Sequence, residues 1–172
     1  MLKDGDLELR AMEPEDLELL LALENDSTLW QWGGSNVPYS RYILRQYLEQ
    51  NQNDIYADGQ VRMVIAVDGK AAGLVDLVNF DARNARAEVG IVLLPSFRRM
   101  GYAHRSLSLL SEYAFRFLRL RQLYAFVSVC NSDALRLFTS AGYEKTSCLR
   151  DWLAREDAYV DAALFVLLST RS

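Results

Sequence analysis

The sequence holds only two cysteines, Cys130 and Cys148, and a single histidine, His104. Neither cysteine belongs to a Cys-x-x-Cys pair or lies near His104 in sequence, so a disulfide framework and a zinc site are not expected, and no other metal is. No run of about twenty apolar residues is present, so no helical membrane span is expected. The opening Met1-Leu2-Lys3-Asp4-Gly5-Asp6 carries acids where a signal peptide would be apolar. A soluble protein of the cytoplasm is the expectation. Positive charge is also in deficit: 19 Lys and Arg against 23 Asp and Glu leave a net charge of −4. Proteins that work by neutralising nucleic-acid phosphates have the opposite balance, so no nucleic-acid partner is expected, and no membrane partner either. Mild acidity suits a cationic substrate slightly better than an anionic one.

What remains is a chain of 172 residues, 51% apolar and 24% charged. That is enough for a sizeable core and one domain spanning 1–172. Leu7, Leu9 and Ala11 alternate as a short strand, and Glu13-Pro14-Glu15-Asp16 starts a helix continued by Leu17, Leu20 and Leu21. From Asn25 to Pro38 the chain reads as irregular, until Ser40 caps a second helix. Met63–Val67 and Ala71–Phe80 form a hairpin around Asp68-Gly69. Arg86–Leu94 is a further strand, and a long helix from about Ala103 to Arg119 puts Leu107, Leu110, Ala114, Phe117 and Leu118 on its apolar side. Strand Gln122–Val129, helix Asn131–Ala141 and strands Tyr143–Leu153 and Tyr159–Leu168 complete a mixed α/β layer.

One segment carries chemistry. Arg98-Arg99-Met100-Gly101-Tyr102-Ala103 lies between an apolar strand and the long helix, where free N–H groups and the helix dipole favour an anion and Gly101 permits close approach. Arg98, Arg99 and Arg105 add positive charge. This segment resembles the Arg/Gln-x-x-Gly-x-Gly/Ala loop of the GNAT acetyltransferases. Asn131-Ser132-Asp133-Ala134, with Phe138 and Ala141-Gly142-Tyr143 after it, is similar to the Asn-x-x-Ala helix and closing Gly-aromatic step of that superfamily. The resemblance runs from the Leu9-Arg10 strand through Asp157-Ala158-Tyr159-Val160-Asp161. Judged by Ala72-Gly73-Leu74-Val75, Ala87-Glu88 and the ending, it looks closest to the spermidine acetyltransferases and the ribosomal-protein N-terminal acetyltransferases.

The resemblance implies a mixed α+β fold: a mostly antiparallel sheet of about seven strands, flanked by about four helices, with two splayed parallel strands holding the cofactor. It implies transfer of an acetyl group from acetyl-CoA to a primary amine, on a polyamine-like small molecule or a protein N-terminus. The rival is a non-catalytic acyl-CoA-binding module. Ile91, Val92 and Leu93 would offer backbone groups to the pantetheine arm. Arg98, Arg99, Met100, Gly101, Tyr102, Ala103 and His104 would cradle the pyrophosphate, with the His104 ring facing a phosphate. Asn131 either contacts the cofactor or only caps its helix. Glu88, the best candidate for the base that takes a proton from the amine, matches a glutamate often found there in relatives, its alternative being a sheet-face partner for Arg86 or Arg83.

Two departures stand out. Many relatives place a tyrosine near the cofactor sulfur where this chain has Phe138, and a phenyl ring has no proton to give. Water, Tyr102 or Tyr143 would then protonate the thiolate. On the acceptor side, glutamates that hold a polyamine are replaced by Gly33-Gly34-Ser35-Asn36 and Asn79, and Asp76 alone keeps an acid nearby. Trp30, Trp32 and Tyr39 either form an aromatic wall for the acceptor or pack their loop onto the first two helices. The partners implied are acetyl-CoA and an amine; a homo-oligomer is left open.

Overall fold

The computed structural model describes residues 2–32 and 36–170. Helix starts follow local chemistry. The side chains of Asp26, Ser40, Asp54 and Asn131 accept the N–H groups of Thr28, Ile43, Tyr56 and Ala134, so each supplies an acceptor that the first helical turn lacks. The helices that follow are α2 (Ser27–Trp30), α3 (Arg41–Gln50), α4 (Ile55–Asp58) and α6 (Ser132–Ser140). α1 (Leu17–Glu24) grows from a 3-10 turn at Pro14–Asp16, where the Glu13 N–H donates to the Asp16 carboxylate at 2.8 Å. The anion-competent segment opens α5 (Tyr102–Glu112).

The strands are β1 (Lys3–Asp4), β2 (Leu7–Arg10), β3 (Val61–Val67), β4 (Lys70–Asp81), β5 (Arg86–Leu93), β6 (Gln122–Ser128), β7 (Glu144–Arg155) and β8 (Ala158–Leu168). They form one eight-stranded sheet in the order β1-β2-β3-β4-β5-β6-β8-β7. Among these pairings β5–β6 is parallel and the rest are antiparallel. The Asp68-Gly69 turn is of the kind expected: φ is 48° and 75°, the left-handed pair that matches hairpin twist.

The expectation of about seven strands misses β1, two residues paired to β2. Single-turn α2 and α4 were likewise too short to leave a periodic pattern. The long helix also ends earlier than its pattern suggests. At Glu112 it passes into a π turn, Tyr113–Phe117, in which the Leu118 N–H reaches back five residues to the Tyr113 carbonyl at 3.1 Å. The wider turn rotates the side chains that follow, so Phe115 and Leu118 pack on the core while Phe117 is 64% exposed.

The sheet has two differently covered faces. Val64, Leu74 and Val92 lie side by side on β3, β4 and β5, and the leucines of α1 (Leu17, Leu20, Leu23) and Leu44 of α3 pack over them. On the opposite face Leu107 and Leu110 of α5 and Phe138 of α6 share a core with Leu123, Ala125 and Val127 of β6. No helix among the described residues is long and apolar enough to cross a membrane.

Phe138 is 4% exposed and meets Tyr143 edge-on at 5.1 Å and Phe165 at 6.0 Å. Phe138→Ala should therefore open a cavity and cost about 3–5 kcal/mol of stability, read as a lower denaturant midpoint with an unchanged slope.

Candidate active site

Parallel pairing of β5 with β6 covers only Arg86–Glu88 against Gln122–Tyr124. Beyond it β5 continues to Leu93 and β6 to Ser128 without a shared ladder, so the two strands part inside the sheet. The unpaired edges present backbone donors and acceptors to whatever fills the gap. Glu88 and Tyr124 stand opposite each other at the vertex. On the β5 arm Ile91 and Leu93 belong to the core under α5, and Val92 to the core under α1. The Leu93 carbonyl already accepts from Arg98 Nε at 2.9 Å.

Above this arm the chain turns sharply. Arg99 (φ 61°) and Gly101 (φ 82°) are both left-handed, and Gly101 stands at the N-cap of α5. The first helical bond is Arg105 N–H to the Gly101 carbonyl, 3.1 Å. Among the described residues no acceptor takes the N–H groups from Arg99 to His104. Left-handed kinks leading into a helix N-terminus form a concave nest of donors suited to a phosphate. Nothing lies within 4 Å of the place where a Cβ on Gly101 would stand, so the nest is open.

The arginines contribute less than their number suggests. Arg105 Nε meets Asp4 at 2.7 Å and its Nη2 meets Asp6 at 2.8 Å, which neutralises it against β1 and the turn after it. Tyr102 also donates to Asp6, at 3.3 Å. Arg98 donates Nε to the Leu93 carbonyl but is itself exposed, and Arg99 has its side chain 87% exposed and 3.9 Å from Asp133, so both keep their charge in solvent beside the nest. The His104 ring does not face the nest: Nε2 is 3.1 Å from the Ser140 carbonyl at the end of α6. Asn131 caps α6 through Oδ1, 3.1 Å from the Ala134 N–H, and is half-buried.

Neither ring at the expected proton-donor position is well suited to the task. Phe138 is a core residue. Burial pushes the Tyr143 phenol up to about 12; the nearby Ser111 hydroxyl offsets this slightly, but its own proton goes to the Leu107 carbonyl at 2.7 Å.

The face covered by α1 holds the acids. Asp76 is gripped by Arg62 through Nε (2.8 Å) and Nη2 (3.0 Å), while Arg62 Nη1 reaches Glu24 at 3.0 Å. Burial is the main influence that raises the Asp76 pKa; Arg62 opposes it and the Glu24 charge adds to it, because two carboxylates share one guanidinium. Glu88 Oε2 accepts from Asn79 Nδ2 at 2.7 Å, and Arg86, its alternative partner, pairs with Asp81 at 3.1 Å. Trp30 donates its indole N–H to the Glu24 carbonyl at 2.9 Å. Asn25 and Tyr39 exchange hydrogen bonds of 2.9 and 2.7 Å that close the α1–α3 connection. Arg155, from the end of β7, lies over the Trp32 ring at 5.3 Å. Gly33, Gly34 and Ser35 lie outside the described residues.

A family model described as an acetyltransferase (GNAT) domain matches residues 6–144. The chain belongs to the GNAT acetyltransferase family. It is an acetyl-CoA-dependent N-acetyltransferase. It is 29% identical to the spermidine N(1)-acetyltransferase of Escherichia coli (strain K12) over 80% of this chain and 72% of that one. Its fold matches the crystal structure of a Vibrio cholerae spermidine N-acetyltransferase in complex with CoA and spermine, at a TM-score of 0.87 and 24% identity, covering 98% of both chains. It also matches a ribosomal L7/L12 alpha-N-protein acetyltransferase in complex with coenzyme A, at a TM-score of 0.86 and 21% identity, covering 98% of this chain and 97% of the other.

In this acetyltransferase the β5 arm leads from the vertex toward the nest, and Trp30, Glu24, Arg62 and Asp76 are linked in a chain beside Gly90 on that arm. Sequence reading missed Arg62, Glu24 and Tyr124. The signal was strand parity, since Arg62, Asp76 and Gly90 are cross-strand neighbours one row from Glu88. Gly101→Val would force a β-branched residue to φ near 82° and place methyl groups in the nest. Calorimetry should show coenzyme A affinity reduced about tenfold or more in a variant that still folds; unchanged affinity would remove the nest from the cofactor site.

Proposed function

We propose that the enzyme moves the acetyl group of acetyl-CoA to the primary amine of a polyamine-like small molecule or a protein N-terminus, the whole chain acting as one catalytic domain in the cytoplasm. In this reading the pyrophosphate rests on the N–H groups from Arg99 to His104, and the pantetheine arm runs along Ile91, Val92 and Leu93 between the parted strands. Asn131 borders it from the β6 side. Glu88 takes a proton from the acceptor ammonium, the neutral nitrogen attacks the thioester carbonyl carbon, the C–S bond breaks, and the surplus proton on the new amide nitrogen passes through water to the departing thiolate. Trp30 and Trp32 face the acceptor, and Asp76 with Glu24 adds negative potential.

The observation that carries the reading is Glu88 at the vertex. It is half-buried, opposite Tyr124, with one hydrogen bond from Asn79 and Oε1 left for a proton. Its charge contributes, after burial, to raising the Tyr124 phenol, which reflects how closely the two groups face each other. A carboxylate so placed can take a proton from an amine that is cationic in water. Glu88→Gln should lower kcat about a hundredfold at neutral pH, with partial recovery as rising pH supplies neutral amine. An unaltered pH–rate profile would make Glu88 a structural residue.

A further inference from the structure

One feature of the acceptor side lies outside the Glu88 and tryptophan-loop groups. Tyr124 shares the sheet face of Glu88, and Phe126, two residues on, points the same way. Their rings meet edge-on at 5.7 Å, and the Trp152 indole joins Phe126 at 5.8 Å with planes tilted by 31°. Trp152 is 55% exposed. Three rings therefore lead from the vertex across a sheet face whose β3 and β4 portion is covered by α1 and α3.

Trp152 reaches this face because β7 bulges. Leu149 pairs with Ala162 and Leu153 with Val160, so four steps on β7 oppose two on β8. Asp151 within the bulge is left-handed, φ 50°, and its N–H donates to Asp161 Oδ1 at 2.9 Å. The Cys148 thiol lies 3.8 Å from Asp161 Oδ2. One carboxylate thus stitches the bulge that aims the indole. Bulges of this kind re-aim a side chain at the cost of ladder bonds.

The carboxylates on the β3–β5 part of this side are already engaged. Glu24 and Asp76 are both engaged by Arg62, Glu88 is needed for the reacting nitrogen, and the Arg155 guanidinium stands over Trp32. A polyamine presents further ammonium groups, each needing a carboxylate or an open ring face. An aromatic wall beside one working carboxylate suits instead a single ammonium on an apolar or aromatic skeleton.

We propose that Tyr124, Phe126 and Trp152 form the acceptor wall of the active site and select a monoamine with an apolar or aromatic body, an arylalkylamine or a peptide N-terminus bearing such a side chain, over a polyamine. Asp161 is a positioning residue acting through Trp152. The inference rests on the transferase reading above and narrows its acceptor to an amine on an apolar or aromatic body.

The test uses the full chain with saturating acetyl-CoA and three probes: 2-phenylethylamine, a peptide with N-terminal phenylalanine, and spermidine. At least one of the first two should be used with a kcat/KM about tenfold or more above that of spermidine. Trp152→Ala should raise the KM of that favoured probe about tenfold, the loss of one aromatic contact, while kcat and the acetyl-CoA KM stay within about twofold. Asp161→Ala should reproduce the KM effect. Asp161→Asn keeps an oxygen for the Asp151 N–H and should restore wild-type KM, which a merely destabilised fold would not do. Spermidine used as well as or better than the aromatic probes, or an unchanged KM in a folded Trp152→Ala, overturns the inference and leaves the transferase reading standing. Turnover of none of the three overturns both. Light scattering gives a further arm: if Trp152→Asp converts a larger assembly into a smaller one, the rings face a second copy of the chain and the inference falls.

Discussion

A β-sheet ordinarily pairs each strand along its length, and an interior strand edge without a partner is costly unless something else satisfies it. Here β5 and β6 pair for three residues, ending at Glu88 and Tyr124, and then part. The enzyme keeps open edges in the middle of its sheet because rigid neighbours hold each arm. β4 pairs β5 as far as Gly73–Leu93, and β8 pairs β6 as far as Ser128–Ala162. The gap is thus a built-in position for another extended, hydrogen-bonding chain, and the pantetheine arm of acetyl-CoA has that character. α5 starts where the β5 arm ends, so its free N–H groups are delivered to the same gap.

The electrostatics divide along the two ends of this gap. At the nest the backbone N–H groups act together with the exposed Arg98 and Arg99, because Arg105 is neutralised by Asp4 and Asp6. Backbone donors held by left-handed residues do not reorganise on binding, whereas free arginines lose side-chain entropy when they clamp a ligand. Beside Gly90 on the β5 arm, Arg62 offsets the charge of one of its two acids, Glu24 and Asp76. Removing Arg62 would leave two half-buried carboxylates without their shared cation, which destabilises this face of the sheet.

Much was legible in the sequence where the determinant was local. Asp68-Gly69 specified its turn, Ser40 and Asn131 their caps, and Arg98–Ala103 the strand-to-helix turn with Gly101 left-handed at its end. Each of these depends on a backbone preference that acts within a few residues. The periodicity of α5 was equally readable up to Glu112, where a single wide turn sent Phe117 outward and Phe115 inward.

What the tertiary structure alone decided was the state of each functional group. Arg105 reads locally as positive charge beside the phosphate loop, yet it meets Asp4, 101 positions away. Phe138 reads as a ring beside a sulfur and is packed between Tyr143 and Phe165. Asp76 reads as a lone acid and is half of a bidentate pair with Arg62. Trp152 is unremarkable until a bulge stitched by Asp161 turns it onto Phe126. Turn type and helix start are set by the residues that occupy them, so they survive in one dimension. Charge, burial and the aim of a side chain are properties of neighbours brought together by the sheet, and no window of sequence contains them.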